Sequence, residues 1–185
     1  MRIRPATITD LDRCVKLDAA SSTDRVWQIE QTMGLDHMAL DMRRVRLPRA
    51  MALPYPRSLS DLREDWQRKE CFLVADEFAT MLGFLDLTVS HWQWSGAIEH
   101  LVVDRAQRRK GVATSLLDAA EAWARGSGLR RITVVLQPKN EPAIRLFTRR
   151  GYGFAGTLDR YFGNDALSLV YALDLARGPL PTTTG

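Results

Sequence analysis

The sequence predicts a single α+β domain built on a mixed, mostly antiparallel sheet flanked by helices. Two apolar stretches, "CFLVAD" and "MLGFLDLTVSHW", are joined by the short turn "EFAT" and read as an antiparallel pair. The apolar strand "GAIEHLVVD", a helical stretch from residue 112 and the strand "RRITVVLQ" then form a crossover unit, whose two strands must be parallel. The 185 residues suffice for one domain with a substantial core, and no repeat or linker divides them. The domain is expected over residues 1–176, followed by a disordered tail at 177–185.

Each element has its own justification. "MRIRP" is a first strand, ended by Pro5. "TDLDRCVKLDAA" reads as a helix capped by Thr9, with Leu11, Cys14, Val15 and Leu17 on one stripe. Residues 21–57 show no clear period, and any helix around 25–44 must stop before Pro48, Pro54 and Pro56. "SLSDLREDWQRKE" reads as a second helix, with Ser58 and Asp61 as its start signal. After the antiparallel pair, "GAIEHLVVD" is expected at the centre of the sheet. Leu116, Leu117, Ala120, Trp123 and Ala124 recur at helical spacing, and "GSG" at 126–128 ends that helix. A short helix over Asn140 to Arg150 is stopped by Gly151, and "GFAGTLDRYF" and "ALSLVYALDL" are the last strands.

Composition removes several classes of function. No apolar run approaches the roughly 20 residues of a membrane helix. The start, "MRIRPATITDLD", lacks a signal-peptide core, so a cytoplasmic protein is expected. Cys14 and Cys71 fall in no ligand-like spacing and read as reduced, buried thiols. His37, His91 and His100 form no metal-binding pattern, so no metal is expected. The net charge of +4 suits an anionic ligand or a nucleic acid. The arginines at 43, 44, 46 and 49 lack the interleaved aromatics of a nucleic-acid surface, and that partner is not expected.

The stretch "QRRKGVATSLL" carries the chemistry. A strand leading through a turn into a helix leaves unpaired backbone N–H groups, whose partial positive charge suits a phosphate. Gly111 lets the backbone approach a ligand, Ala113 keeps the next position small, and Arg108, Arg109 and Lys110 add full charges. A pyrophosphate is the natural guest; a solvated basic turn is the plainer alternative. "GYGFAG" at 151–156 matches a dinucleotide fingerprint in letters only, since it follows a helix and enters a strand.

Arg108-x-x-Gly111-x-Ala113 after an apolar strand resembles the acetyl-CoA signature of the GCN5-related N-acetyltransferases (GNAT). "NEPAIRLFTRRGYGFAG" resembles that family's second signature, and the likeness covers about residues 1–175. "RYFGNDALSLVYAL" is similar to the ending of ribosomal-protein and N-terminal acetyltransferases, while "HWQWSGAIEHLVV" with "NEPAIRLF" is similar to the streptothricin-type branch. The resemblance implies a GNAT fold in which the fourth and fifth strands, parallel neighbours, splay to admit acetyl-CoA. Backbone groups of Leu101, Val102 and Val103 would hold the pantetheine arm. Amides of Arg108, Arg109, Lys110, Gly111, Val112, Ala113 and Thr114 would bind the pyrophosphate, and Asn140 would meet the cofactor from the facing helix. Glu99 is the candidate base for the amine, directly or through a water, and its alternation with Leu101 and Val103 puts all three on one strand face. Phe147 stands where the family has a tyrosine that protonates the leaving thiolate, so Tyr161 and Tyr152 are the candidate replacements. Segment 21–57, including Trp27 and "LPYP", would line the acceptor side or be a packing insert, and Trp92 and Trp94 fit a core or an acceptor wall. The acceptor implied is a peptide or protein N-terminal α-amine, with a small-molecule amine (an antibiotic or polyamine) or a non-catalytic acyl-CoA-binding module as alternatives. Monomer and homodimer are both compatible with the sequence.

Overall fold

The computed structural model describes residues 1–78, 80–163 and 167–175. The expected tail at 177–185 therefore lies outside the described residues. Strands β1 (Arg2–Pro5), β4 (Cys71–Glu77), β5 (Thr80–Ser90), β6 (Ser95–Val103), β7 (Arg131–Leu136), β8 (Gly153–Leu158) and β9 (Ser168–Asp174) form one sheet in the order β1-β4-β5-β6-β7-β9-β8. All neighbours are antiparallel except β6 and β7. Between those two runs helix α2 (Val112–Gly126), which makes the crossover unit expected from the sequence.

Two clusters of buried side chains lie against the sheet. Leu116, Leu117, Ala120 and Ala124 of α2, with Ile144 and Phe147 of helix α3 (Glu141–Arg149), pack on Leu85, Leu87, Ile98 and Ile132. Leu11 and Cys14 of the short helix α1 (Leu11–Cys14) meet Leu62, Phe72, Val74 and Phe84 in the second. Both cysteines are free and buried, and removal from water pushes both thiols up to about 12.

Three expectations change. The first helix is shorter than its stripe implied: a 3-10 turn over Ile8–Asp10 leads into α1 and is capped by Thr7, not Thr9. Asp10 explains the choice, because its carboxylate accepts from both the backbone N–H and the hydroxyl of Thr7 at 2.9 Å. The stretch from Ser58 gives two 3-10 turns, Leu59–Leu62 and Trp66–Arg68, in place of a helix. Residues 21–53 contain no helix. They form a long antiparallel hairpin of β2 (Ser21–Met33) and β3 (Met38–Leu53), a separate two-stranded sheet that crosses over α3. Its docking points include the Trp27 backbone N–H donating to the Pro138 carbonyl at 3.0 Å and an Arg44–Glu141 ion pair at 3.5 Å.

Candidate functional site

The parallel pair β6–β7 is joined along only part of its length. Its register runs from Ser95 opposite Arg131 to Ile98 opposite Val134, then stops. Beyond that point β6 follows β5 as far as Val103 opposite Gly83, while β7 follows β9 to Leu136 opposite Leu169. The two strands part at their carboxyl ends and leave a gap lined by Ile98, Glu99, Leu101, Val135, Phe147 and Asn140, among others. An open gap inside a sheet is costly, because the facing edges lose their backbone partners.

A β-bulge sits at the point of parting. Asp86 pairs with His100 and Leu87 with Ile98, so Glu99 has no partner on β5. This breaks the expected alternation. Leu101 and Val103 pack with the α2-side core, whereas Glu99 meets Thr88 and Arg57, on the side where Asp86 holds His100. Thr88 donates to Oε1 of Glu99 at 3.2 Å, and Arg57 pairs with Oε2 at 2.5 Å. The same Arg57 guanidinium donates to the Tyr161 hydroxyl at 2.6 Å, with its carbon 5.5 Å from the Tyr161 ring centre. Burial works against the charge of Arg57, but Glu99 and then Tyr161 hold its pKa above the ordinary value. Burial first, then Glu99, raises the pKa of Tyr161.

Two aromatic candidates separate clearly. Phe147 lines the gap and is buried, its ring edge-on to Tyr152 with centroids 5.0 Å apart. Tyr152 does not reach the gap: its buried hydroxyl donates to Glu121 at 3.3 Å, and burial drives its pKa upward. Val102 is buried in the cluster on the far face. Trp92 and Trp94 form neither core nor gap wall. They are exposed in the turn that precedes β6, at the end of that strand away from the parting.

The turn at 108–111 follows the carboxyl end of β6, beside the gap. Arg108 is turned inward: its Nε donates to the Val103 carbonyl at 3.1 Å and ties the turn to the strand. Exposed Arg109 and Lys110 supply the outward charge, Lys110 donating to Gln107 at 2.9 Å. Arg109 and Gly111 both have left-handed backbone, with φ of 62° and 83°. A left-handed Arg109 is strained by about 1 kcal/mol, while Gly111 takes the same conformation freely. Among the described residues no side chain caps the start of α2, whose first turn carries N–H groups without an intrahelical partner. Across the gap Asn140 caps α3, its Oδ1 accepting from the Ala143 N–H at 3.3 Å.

Sequence reasoning missed Gln137 and Phe162, which line the gap, and reached Tyr55 and Arg57 only as unnamed members of segment 21–57. Tyr55 lies between Pro54 and Pro56 just after β3, stacked on His100 with ring centres 6.1 Å apart. Burial raises its pKa, helped by Asp86, while the positive charge of Arg57 works the other way. "LPYP" was a visible signal, but nothing in one dimension shows that it folds back onto β6. No cluster of His, Cys, Asp and Glu among the described residues could hold a metal. No helix among them is long and apolar enough to cross a membrane.

Comparison with known proteins gives this geometry a context. Residues 39–154 match the model of the acetyltransferase (GNAT) family. The chain is 26% identical over 158 residues to a streptothricin acetyltransferase of Streptomyces lavendulae, covering 83% of this chain and 82% of that protein. It is 37% identical over 76 residues to a streptothricin acetyltransferase of Escherichia coli, a match spanning 41% of this chain and 43% of that protein's length. Among solved structures, a nourseothricin acetyltransferase superposes with a TM-score of 0.78 at 21% identity, over 94% of this chain and 98% of that one. A streptothricin acetyltransferase homologue from Bacillus anthracis, solved with acetyl coenzyme A, superposes with a TM-score of 0.72 at 17% identity over the same shares. At these structural identities the likeness is one of fold.

Proposed function

The chain belongs to the GNAT family of acetyltransferases, and from that membership we propose that it transfers the acetyl group of acetyl-CoA to a primary amine on a small molecule. The parting of β6 and β7 carries the reading. It presents open backbone edges to a narrow, amide-bearing arm, and the uncapped start of α2 with Arg109 and Lys110 suits a pyrophosphate. Leu101, Val102 and Val103 hold the arm, residues 108–114 the pyrophosphate, and Asn140 approaches from α3. Bound there, acetyl-CoA supplies an activated acyl carbon.

The chain's own residues supply the rest. The acceptor amine must be neutral to attack. At pH 7.8 an α-amine is about half deprotonated but a lysine-like amine only about 0.3%. A base is therefore worth about 3 kcal/mol more to the second. Glu99 is that base, directly or through a water. Both of its oxygens are engaged at rest, so a cationic acceptor competes with Arg57 for the carboxylate. Arg57 and Tyr161 thus act as the rim that the acceptor must displace or join.

The small-molecule acceptor is favoured by the streptothricin acetyltransferase of S. lavendulae, whose likeness runs through most of both chains. Peptide α-amines are the second reading, kept by Tyr161 at the rim and the sequence around it. Thiol release from acetyl-CoA, measured against amine antibiotics, polyamines and N-terminal peptides, decides between them, with mass spectrometry locating the acetyl group. Transfer to a small amine is expected. Transfer to peptides alone would reverse the order, and CoA binding without transfer to any acceptor would reduce the chain to a binding module. Glu99→Gln should lower kcat/KM for a lysine-like amine by about 100-fold, and less for an α-amine.

A further inference from the structure

Phe147 has no proton to give, yet a thiolate leaves most readily when it is protonated. Of the four tyrosines in the chain, three are poorly placed to supply that proton. Tyr152 is turned to Glu121 in the core, Tyr171 of β9 packs on Phe154 of β8, and Tyr161 serves Arg57 at the rim. Tyr55 remains, and it lines the gap together with Leu101, Glu99 and Phe147. We propose that Tyr55 is the general acid of this site, giving its phenolic proton to the CoA sulfur as the carbon–sulfur bond breaks. The proposal rests on the acetyl-transfer reading above.

The surroundings suit the role. Pro54 fixes the backbone before Tyr55 and Pro56 restricts Tyr55 itself, so little freedom is left to the loop. The ring stacks on His100, whose Nδ1 lies 2.9 Å from Asp86, and Asp86 is fully buried with Lys69 at 3.4 Å. Burial keeps the proton on the phenol at rest, and the nearby charge of Arg57 favours the phenolate once it has gone.

The step balances. The acceptor nitrogen bonds to the acyl carbon, the carbon–sulfur bond breaks with its electron pair going to sulfur, and the Tyr55 proton makes that thiolate a thiol. The proton lost from the acceptor nitrogen returns to the Tyr55 phenolate through Glu99 or solvent.

The test compares the wild type with Tyr55→Phe in two arms. In the first, calorimetry measures the affinity for CoA and for a CoA analogue that lacks the sulfur. The wild type should prefer CoA by about 3- to 10-fold, the worth of one hydrogen bond. Tyr55→Phe should lose that preference while binding the analogue as before, which also shows that it is folded. In the second arm, single-turnover acetyl transfer should slow by about 10- to 100-fold in the variant. A wild type without the preference, a variant that keeps it, or a variant with an unchanged rate overturns the proposal. If the wild type binds CoA but acetylates no amine, the acetyl-transfer reading fails, and the affinity arm alone decides whether Tyr55 meets sulfur.

Discussion

Tyr152 and Glu99 show how one candidate can face chemistry while another avoids it. Both were candidates from sequence, and both touch a charged partner, but only Glu99 opens on the gap. Tyr152 instead holds the far side of Phe147 and donates to Glu121, which also receives Arg150 at 3.1 Å. Tyr152→Phe should therefore leave acetyl transfer unchanged and lower stability by about 1 kcal/mol, read as a drop in melting temperature. The glycine-hinged turn was legible because its requirement is local: a left-handed backbone at Gly111 favours a glycine. Arg57 was not legible. Its two contacts, with Glu99 and Tyr161, join residues 42 and 104 positions away, and no local pattern announces such a pairing.

At the level of elements, the sheet strands and α2 were legible because each carries its own period and its own stop. The hairpin was not. Most of β2 and β3 is exposed, so only a short apolar alternation, Trp27 and Ile29 facing α3, marks it as strand. Such a ladder is defined by pairing between strands rather than by burial, and its charged faces hide the period of two. Pro48 lies inside β3 and would have argued against a central strand, but a two-stranded sheet has only edges, where proline is tolerated. The β5–β6 ladder makes a sharper demand. A Cβ at Gly83 would come 2.5 Å from the Val102 carbonyl oxygen, which is backbone and has no rotamer to yield. Gly83→Ala should therefore push β6 away from β5, costing about 1–3 kcal/mol in denaturant melts. It should also weaken CoA binding, since β6 is one wall of the gap.

For the whole molecule, the amino end is clasped by charge. Arg4 meets Asp10 and Asp76, each at 2.7 Å, and Arg13 meets Asp76 at 2.9 Å, joining β1, α1 and β4. The Arg4 hydrogen bond, opposed by burial and aided by Thr7, holds the Asp10 carboxyl well below the usual carboxylate range. A depressed carboxylate contributes stability above its unfolded value of about 3.9 and loses it as pH falls through the folded value. Acid unfolding should thus gain steepness below about pH 4. Asp10→Asn should lower stability at neutral pH by about 2 kcal/mol and flatten that acid limb.

The unlaced end of the β6–β7 pair has a consequence for cohesion. A sheet that stops pairing halfway leaves the join between its two halves short of rungs, and a guest in the gap supplies them. The free chain should then breathe at this seam, and the occupied chain should behave as one slab. Amide hydrogens of Glu99–Val103 and Val135–Leu136 should exchange more slowly once CoA is added. The melting temperature should climb with its concentration, reaching about 2.7 kcal/mol of added stability at a hundredfold excess over Kd. The molecule would be finished as a solid only while it holds what it acts with.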